Sequence, residues 1–346
     1  MLTLFALLAC SGESTPPPAP EPKPEAPKSE VKHAGIFKAL PKEPVAGATA
    51  LTPELVDLGR MLYYDKRISK NHDISCNSCH QLDRFGVDGE PTSPGHKGVR
   101  GGRNSPTTLN SSLQFAQFWD GREPTVEAQA KGPVLNPVEM AMPDAEYVLR
   151  VLSSIPGYQE AFAKAFPNDA TPITYDNFGT AVGAFERGLL TRGKFDTYLE
   201  GDASALSDAE VEGMDAFVNA GCVTCHLGTL VGGNAYQKLG VVKPYPTEDM
   251  GRFDVTKNEA DKFMFKVPTL RNIEKTGPYI HDGSVKTLPE MIRIMGEYQL
   301  GKELDDETVG KIETFLGALT GEVDAEYVKM PTLPESGPDT PKPDPT

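Results

Sequence analysis

Tryptophan occurs once in this chain, at Trp119, and cysteine and histidine are scarce, with five and six copies in 346 residues. Five cysteines cannot all pair as disulfides, so at least one has another purpose. No apolar run approaches the roughly 20 residues that a membrane-spanning helix takes. Basic excess is also missing: 34 Lys and Arg against 49 Asp and Glu give a formal net charge of −15. That balance argues against nucleic acid and against anionic membrane surfaces as partners. It permits steering of a small basic protein, although solubility alone accounts for acidity equally well.

What is present is concentrated. Four of the five cysteines fall in two copies of C-x-x-C-H, Cys76-Asn77-Ser78-Cys79-His80 and Cys222-Val223-Thr224-Cys225-His226. A zinc ribbon pairs its knuckles about 15–20 residues apart, whereas these lie 146 apart. A thioredoxin-like site needs one C-x-x-C and no histidine behind it. Two disulfides would leave each following histidine unexplained. The pattern is the attachment signature of a c-type haem, in which two thiols form thioethers with the vinyl groups and the histidine becomes the proximal ligand. Two copies predict two covalent haems, with Cys76, Cys79, His80 holding one and Cys222, Cys225, His226 the other.

The fifth cysteine, Cys10, closes an apolar run, Leu-Leu-Ala-Cys, at residues 7–10. The run resembles a bacterial lipobox, although it lacks a basic n-region; an ordinary signal peptide with an incidental cysteine is the alternative. Export to the periplasm with a lipid anchor at Cys10 is the expectation. Residues 11–33 read as a proline-rich linker that stays extended, and residues 331–346 as a disordered tail. The folded part is expected to be mainly α, as two cytochrome-c-like domains over 34–200 and 201–330. Helix signals support this. Thr52-Pro53-Glu54 is an N-terminal cap ahead of Leu55, Leu58 and Leu62. Helical patterns run over 144–166 and 175–199, Ser207-x-x-Glu210 and Thr287-x-x-Glu290 read as capping boxes, and a last helix starts near Asp306. Long Gly- and Pro-rich stretches over 83–140 and 227–285 suit a protein whose cofactors replace part of the core.

The sixth iron ligand decides what a haem protein does. Beyond the two proximal histidines the chain offers His33, His72, His96 and His281, and several methionines. Spacing alone does not choose among them, and Met291 and Met295 read first as core residues.

The segments Gly102-Arg-Asn-Ser-Pro-Thr-Thr-Leu-Asn110, Gln117-Phe-Trp-Asp-Gly-Arg122, Phe265-Lys-Val-Pro-Thr-Leu-Arg-Asn272, Pro278-Tyr-Ile-His-Asp-Gly283 and Ile294-Met-Gly-Glu-Tyr-Gln-Leu-Gly301, with the two haem motifs, resemble the bacterial dihaem cytochrome c peroxidases from about Leu51 to Gly321. The resemblance implies that His80 is proximal to a low-potential peroxidatic haem and His96 its displaceable distal ligand. It implies that His226 and Met295 ligate a second, electron-transfer haem. Glu139 and Gln129 match the active-site pair, and Trp119 the residue coupling the haems. Asn104, Thr276 and Pro278 match an interdomain calcium site, and His281 a structural histidine. The implied reaction is reduction of hydrogen peroxide to water by a small cytochrome c or cupredoxin, in a homodimer. The alternatives are a dihaem electron carrier without catalysis and a protein-modifying dihaem oxidase of the methylamine-utilisation kind. That relative has tyrosine where this chain has Met295.

Overall fold

The computed structural model describes Leu2 and residues 30–346; Cys10 and most of the linker lie outside the described residues. None of the described helices is long and apolar enough to cross a membrane. The first unit is built from α1 (Pro53–Tyr64), α2 (Cys76–Cys79), α3 (Val126–Gln129), α4 (Gly132–Leu135), α5 (Ala145–Ser153), α6 (Pro156–Ala165) and α7 (Tyr175–Arg187). The second uses α8 (Lys194–Leu199), α9 (Asp208–Ala220), α10 (Phe253–Thr256), α11 (Leu288–Ile294) and α12 (Asp306–Ala318). A small antiparallel pair, β1 (Tyr236–Lys238) with β2 (Met264–Lys266), is the only sheet among the described residues. The fold is mainly α.

Local chemistry sets the helix ends. Thr52 caps α1 by accepting from the Leu55 N–H, and Leu55, Leu58 and Leu62 form its buried face. Ser207 and Glu210 cap α9 reciprocally, and Gly221 ends it in the left-handed conformation. Pro156 divides the helical pattern over 144–166 in two. It holds Ile155 extended, at φ −106° and ψ 107°, and opens α6. The pattern over 175–199 likewise splits, with Gly188 ending α7 and Gly193 preceding α8.

Each unit is centred on a close helix pair. A Cβ on Gly59 of α1 would lie 1.8 Å from the Ala181 carbonyl oxygen of α7, and one on Gly213 of α9 would lie 2.2 Å from the Lys311 carbonyl oxygen of α12. Neither position has room for any side chain. One apolar core runs through Leu58, Leu62, Val148, Phe162, Phe178 and Phe185. The other runs through Phe195, Met214, Phe217, Ile312 and Phe315.

The packing crosses the expected domain limits. Phe37, near the start of the 34–200 span, packs in the second core, its ring centroid 5.6 Å from Phe195 and 5.9 Å from Phe315. His33 bonds Asp215 at 2.7 Å, and the Leu40 N–H donates to Asp196 at 2.7 Å. In return Tyr327 stacks on Phe185 at 5.2 Å, in the first core. The tail over 331–346 is not disordered. Arg67 donates to Ser336 Oγ at 3.0 Å, Ser154 to Thr340 at 2.9 Å, and the Asp344 N–H to the Lys70 carbonyl at 2.9 Å. Its composition cannot form a core of its own, but it lies on one that already exists.

Candidate functional site: two haem-type pockets

The second pocket is the more complete. A cavity of about 1410 Å³, including its open mouth, is bordered by Cys222, Cys225, His226 and Met295. Trp119, Asn104, Thr276 and His281 border the same space. None of the four cysteines of the two motifs is paired in a disulfide. His226 is half-buried, and its burial lowers its pKa to about 4, which keeps the ring neutral and able to ligate a metal. Its Nδ1 lies 3.2 Å from the Val231 carbonyl. Donation from Nδ1 leaves Nε2 as the free ligand atom.

The loop that orients this ring is itself held residue by residue. The Thr229 carbonyl accepts from Arg271 Nε at 3.0 Å, and the Leu230 carbonyl from Thr269 Oγ1 at 2.8 Å. Arg271 in turn is buried against Asp196 at 3.0 Å. The Val-Pro-Thr-Leu-Arg-Asn motif therefore serves to aim His226. Met295 stands where α11 passes into a π-helical turn, Met295–Leu300, a distortion frequent at functional positions.

The first pocket is assembled differently. Ser75 precedes the single turn of α2 that carries Cys76 and Cys79, and Ser78 caps back onto the Ser75 N–H at 3.0 Å. The His80 carbonyl accepts from Tyr63 at 2.8 Å, and the backbone of Pro106 and Gly86 lies against its ring. His96 is buried with both ring nitrogens unpaired. Buried polar atoms without partners are rare, and an iron ion is a group that would occupy such a ring nitrogen. The His96 N–H donates to the Glu139 carbonyl at 2.7 Å, which ties the distal-histidine loop to the segment carrying the acid. Burial raises the Glu139 pKa, against opposing effects of Arg122 and Asn136. Gln129 ends α3 in the same stretch of chain.

Trp119 lies where the units meet. Its Nε1–H donates to the Asn104 carbonyl at 2.9 Å, and its carbonyl accepts from the Lys266 N–H at 2.8 Å. Asn104 and Thr276 share the cavity wall. Pro278 follows two residues after Thr276, across a cis Gly277–Pro278 bond. His281 Nε2 lies 3.1 Å from Thr247 Oγ1, and its carbonyl accepts from the Asn104 N–H at 2.7 Å.

Several participants were not singled out from sequence. Arg103 reaches Asp249 at 2.7 Å and Asp120 beside Trp119, making a charged bridge between the units. Asn110 and Asn272 both donate to Thr191 Oγ1, at 2.7 and 2.8 Å. A signal for that clasp was available: Pro106-Thr107-x-x-Asn110 and Pro268-Thr269-x-x-Asn272 are the same motif. Thr107 donates to the Phe85 carbonyl at 2.7 Å just as Thr269 donates to that of Leu230.

Two C-x-x-C-H motifs, one of them bordering a cavity with Met295, define a two-site c-type haem protein. Comparison with known proteins narrows the class. The family model for di-haem cytochrome c peroxidase matches residues 53–204. A cytochrome c551 peroxidase of Nitrosomonas europaea is 49% identical over 318 residues, covering 90% of this chain and 93% of the relative. The cytochrome c551 peroxidase of Pseudomonas aeruginosa is 41% identical over 317 residues, 90% of this chain and 91% of the relative. The crystal structure of a MauG-like protein associated with microbial copper homeostasis superposes with a TM-score of 0.75 at 29% identity, covering 84% of this chain and 98% of that one. The chain belongs to the di-haem cytochrome c peroxidase family.

Proposed function

We propose that this chain is a dihaem cytochrome c peroxidase, taking one H2O2, two electrons and two protons to two molecules of water. The electrons come from a reduced small cytochrome c or cupredoxin. The observation that carries the reading is the joining of His96 to Glu139. The main-chain N–H of His96 donates to the main-chain carbonyl of Glu139, so the candidate displaceable ligand and a part-buried acid are tied to one another through the backbone beside the first haem motif, and an electron carrier has no use for that pairing.

Covalent haem, when bound, supplies electron storage and transfer at each iron. The chain's own residues do the rest. His80 and His226 would each hold an iron through a ring nitrogen, and Met295 would be the second ligand to the iron at His226. A thioether ligand raises the potential relative to bis-histidine ligation, which makes the second pocket the point of electron entry. His96 keeps the first pocket shut to water and peroxide at rest. Glu139 moves a proton at its carboxylate; burial raises its pKa, which suits it to accept one from peroxide and return it to the departing oxygen. Gln129 orients the substrate, and Trp119 bridges the pockets.

Asn104 Oδ1 and the backbone carbonyls of Thr276 and Pro278 would hold the calcium ion that the family resemblance implies. Asn104 Nδ2 donates to the Glu90 and Pro91 carbonyls at 3.1 and 3.2 Å, which turns the amide oxygen away for a cation, and oxygen-only ligands suit calcium. Periplasmic location, anchoring through Cys10 and a homodimer complete the reading, on the strength of the lipobox and the family.

Steady-state peroxide reduction with a reduced donor tests it, with and without prior reduction of the second haem. Glu139→Gln keeps the shape and removes the proton carrier. Turnover should fall about 10²-fold or more with both haem spectra intact. Turnover at the unmodified rate would reduce Glu139 to a buried carboxyl without a part in the chemistry.

A further inference from the structure

Lys266 is a lysine in a place lysines avoid. It is 5% exposed and ends β2. Its side chain borders the cavity that His226 and Met295 also border. Its Nζ donates to the Gln114 amide oxygen, and among the described residues it makes no ion pair. The carboxylate that influences it, Asp120, is engaged by Arg103 and by Arg122. An ammonium buried without an anion is costly, and burial lowers the Lys266 pKa to about 7. The protein thus holds a cationic group on the wall of a cavity and leaves its counter-charge to something else. A haem carries two carboxylate side arms, and the cavity is its pocket.

We infer that the Lys266 ammonium is the counter-ion for a carboxylate side arm of the haem held at His226, and that its charge raises that haem's affinity for an electron. The inference rests on the reading of this cavity as a haem site. The backbone of Lys266 fixes the arrangement, because its N–H is bonded to the Trp119 carbonyl at 2.8 Å. Gln114 holds the ammonium from the other side. A cation beside the macrocycle disfavours the ferric state, which carries one more positive charge than the ferrous state, so its removal lowers the potential. Lys266 is a positioning and charge-setting residue; the proton chemistry stays with Glu139.

The experiment is a redox titration of the two-haem holoprotein carrying Lys266→Met, which keeps the stem, and Lys266→Arg, which keeps the charge. Haem content by pyridine haemochrome comes first. A wild-type protein with no haem at His226 sinks the haem reading itself, independently of Lys266. With both haems loaded, the Met variant should shift the reduction equilibrium of the second haem about tenfold toward ferric, which for one electron is about 59 mV. The first haem should not move, and the Arg variant should track the wild type. A Met holoprotein whose second haem titrates as in the wild type overturns the inference. If the Met variant does not load, the wild type decides. Its second-haem propionate bending band in the resonance Raman spectrum should shift between H2O and D2O, as an N–H donor requires. An unmoved band overturns the inference equally.

Discussion

The two haem histidines sit in contrasting surroundings. His226 spends its Nδ1 on the Val231 carbonyl, and the two carbonyls just before it, of Thr229 and Leu230, are pinned by Arg271 and Thr269. The backbone of Pro106 and Gly86 lies against the His80 ring, whereas no protein group bonds either ring nitrogen of the candidate ligand His96. The His226 ring is fixed by a protein hydrogen bond whose loop is itself held. The loop that carries His96 has Gly86, Gly89 and Gly98 all at positive φ and Lys97 at φ 59°. A locked ring keeps a steady potential, and a loosely held one can be exchanged for substrate.

The largest effect should come from deleting one attachment point. Cys222→Ala with Cys225→Ala should remove one haem in mass and leave the first spectrum in place. Denatured wild type should keep its colour, since both haems are covalent. Loss of both haems from the double variant would mean that the units do not assemble separately and would blur the contrast.

Next comes the movable side. His96→Gly removes the candidate distal ligand without touching α2, so the first haem of the oxidised protein should become high-spin and bind peroxide without prior reduction. The second haem should be unchanged. A wild type that is already high-spin and fully active when oxidised would place this chain among constitutively open enzymes. His96 would then not be the resting ligand, although the peroxidase reaction would stand.

Much of this contrast was legible in the sequence, and the reasons for the remainder are physical. C-x-x-C-H is a contiguous attachment code, so both proximal histidines could be read without a fold. Thr52, Ser207 and Asp305 act over three residues, so their caps were equally local. The Pro-Thr-x-x-Asn pair escaped notice because its copies lie 162 residues apart and the haem motifs 146, so no single period relates them. Lys266 escaped because composition places lysines in solvent. The exchange of termini escaped because an extended, proline-rich stretch carries no periodicity that says which surface it will lie on.

Glu186 offers a third test, on the first unit alone. It is buried on α7, and burial, with a smaller contribution from Glu127, raises its carboxyl to about 8 against the pull of Arg187. A carboxyl raised in the folded state binds its proton more tightly there than in the unfolded chain, where it titrates near about 4.3. The stabilisation is complete below that value and is lost as pH rises through about 8. Wild type should therefore lose up to about 1.4 kcal/mol per pH unit across this window from Glu186. Glu186→Gln should flatten the fall of Tm between pH 6 and pH 8. Parallel wild-type and variant profiles would show that Glu186 is ionised in the folded protein.

The smallest effect concerns the tail. Residues 331–346 reach the first unit through Arg67, Lys70 and Ser154. Lys70 is the connection to the active site, because its N–H donates to the Met140 carbonyl at 2.9 Å while its own carbonyl accepts from Asp344 at 2.9 Å. Glu139 is the neighbour of Met140, and its carbonyl takes the His96 N–H. Ending the chain after Met330 should thus loosen the His96 side before the His226 side. The contacts are few and mostly at the surface, so the loss should be about 1 kcal/mol, or ~2–4 °C in the Tm of the first unit. Hydrogen exchange should show faster exchange at the Lys70 and His96 amides and no change at Val231. Equal loosening of both pockets would mean that the tail stabilises the molecule as a whole and that the contrast between the two histidines does not extend to its supports.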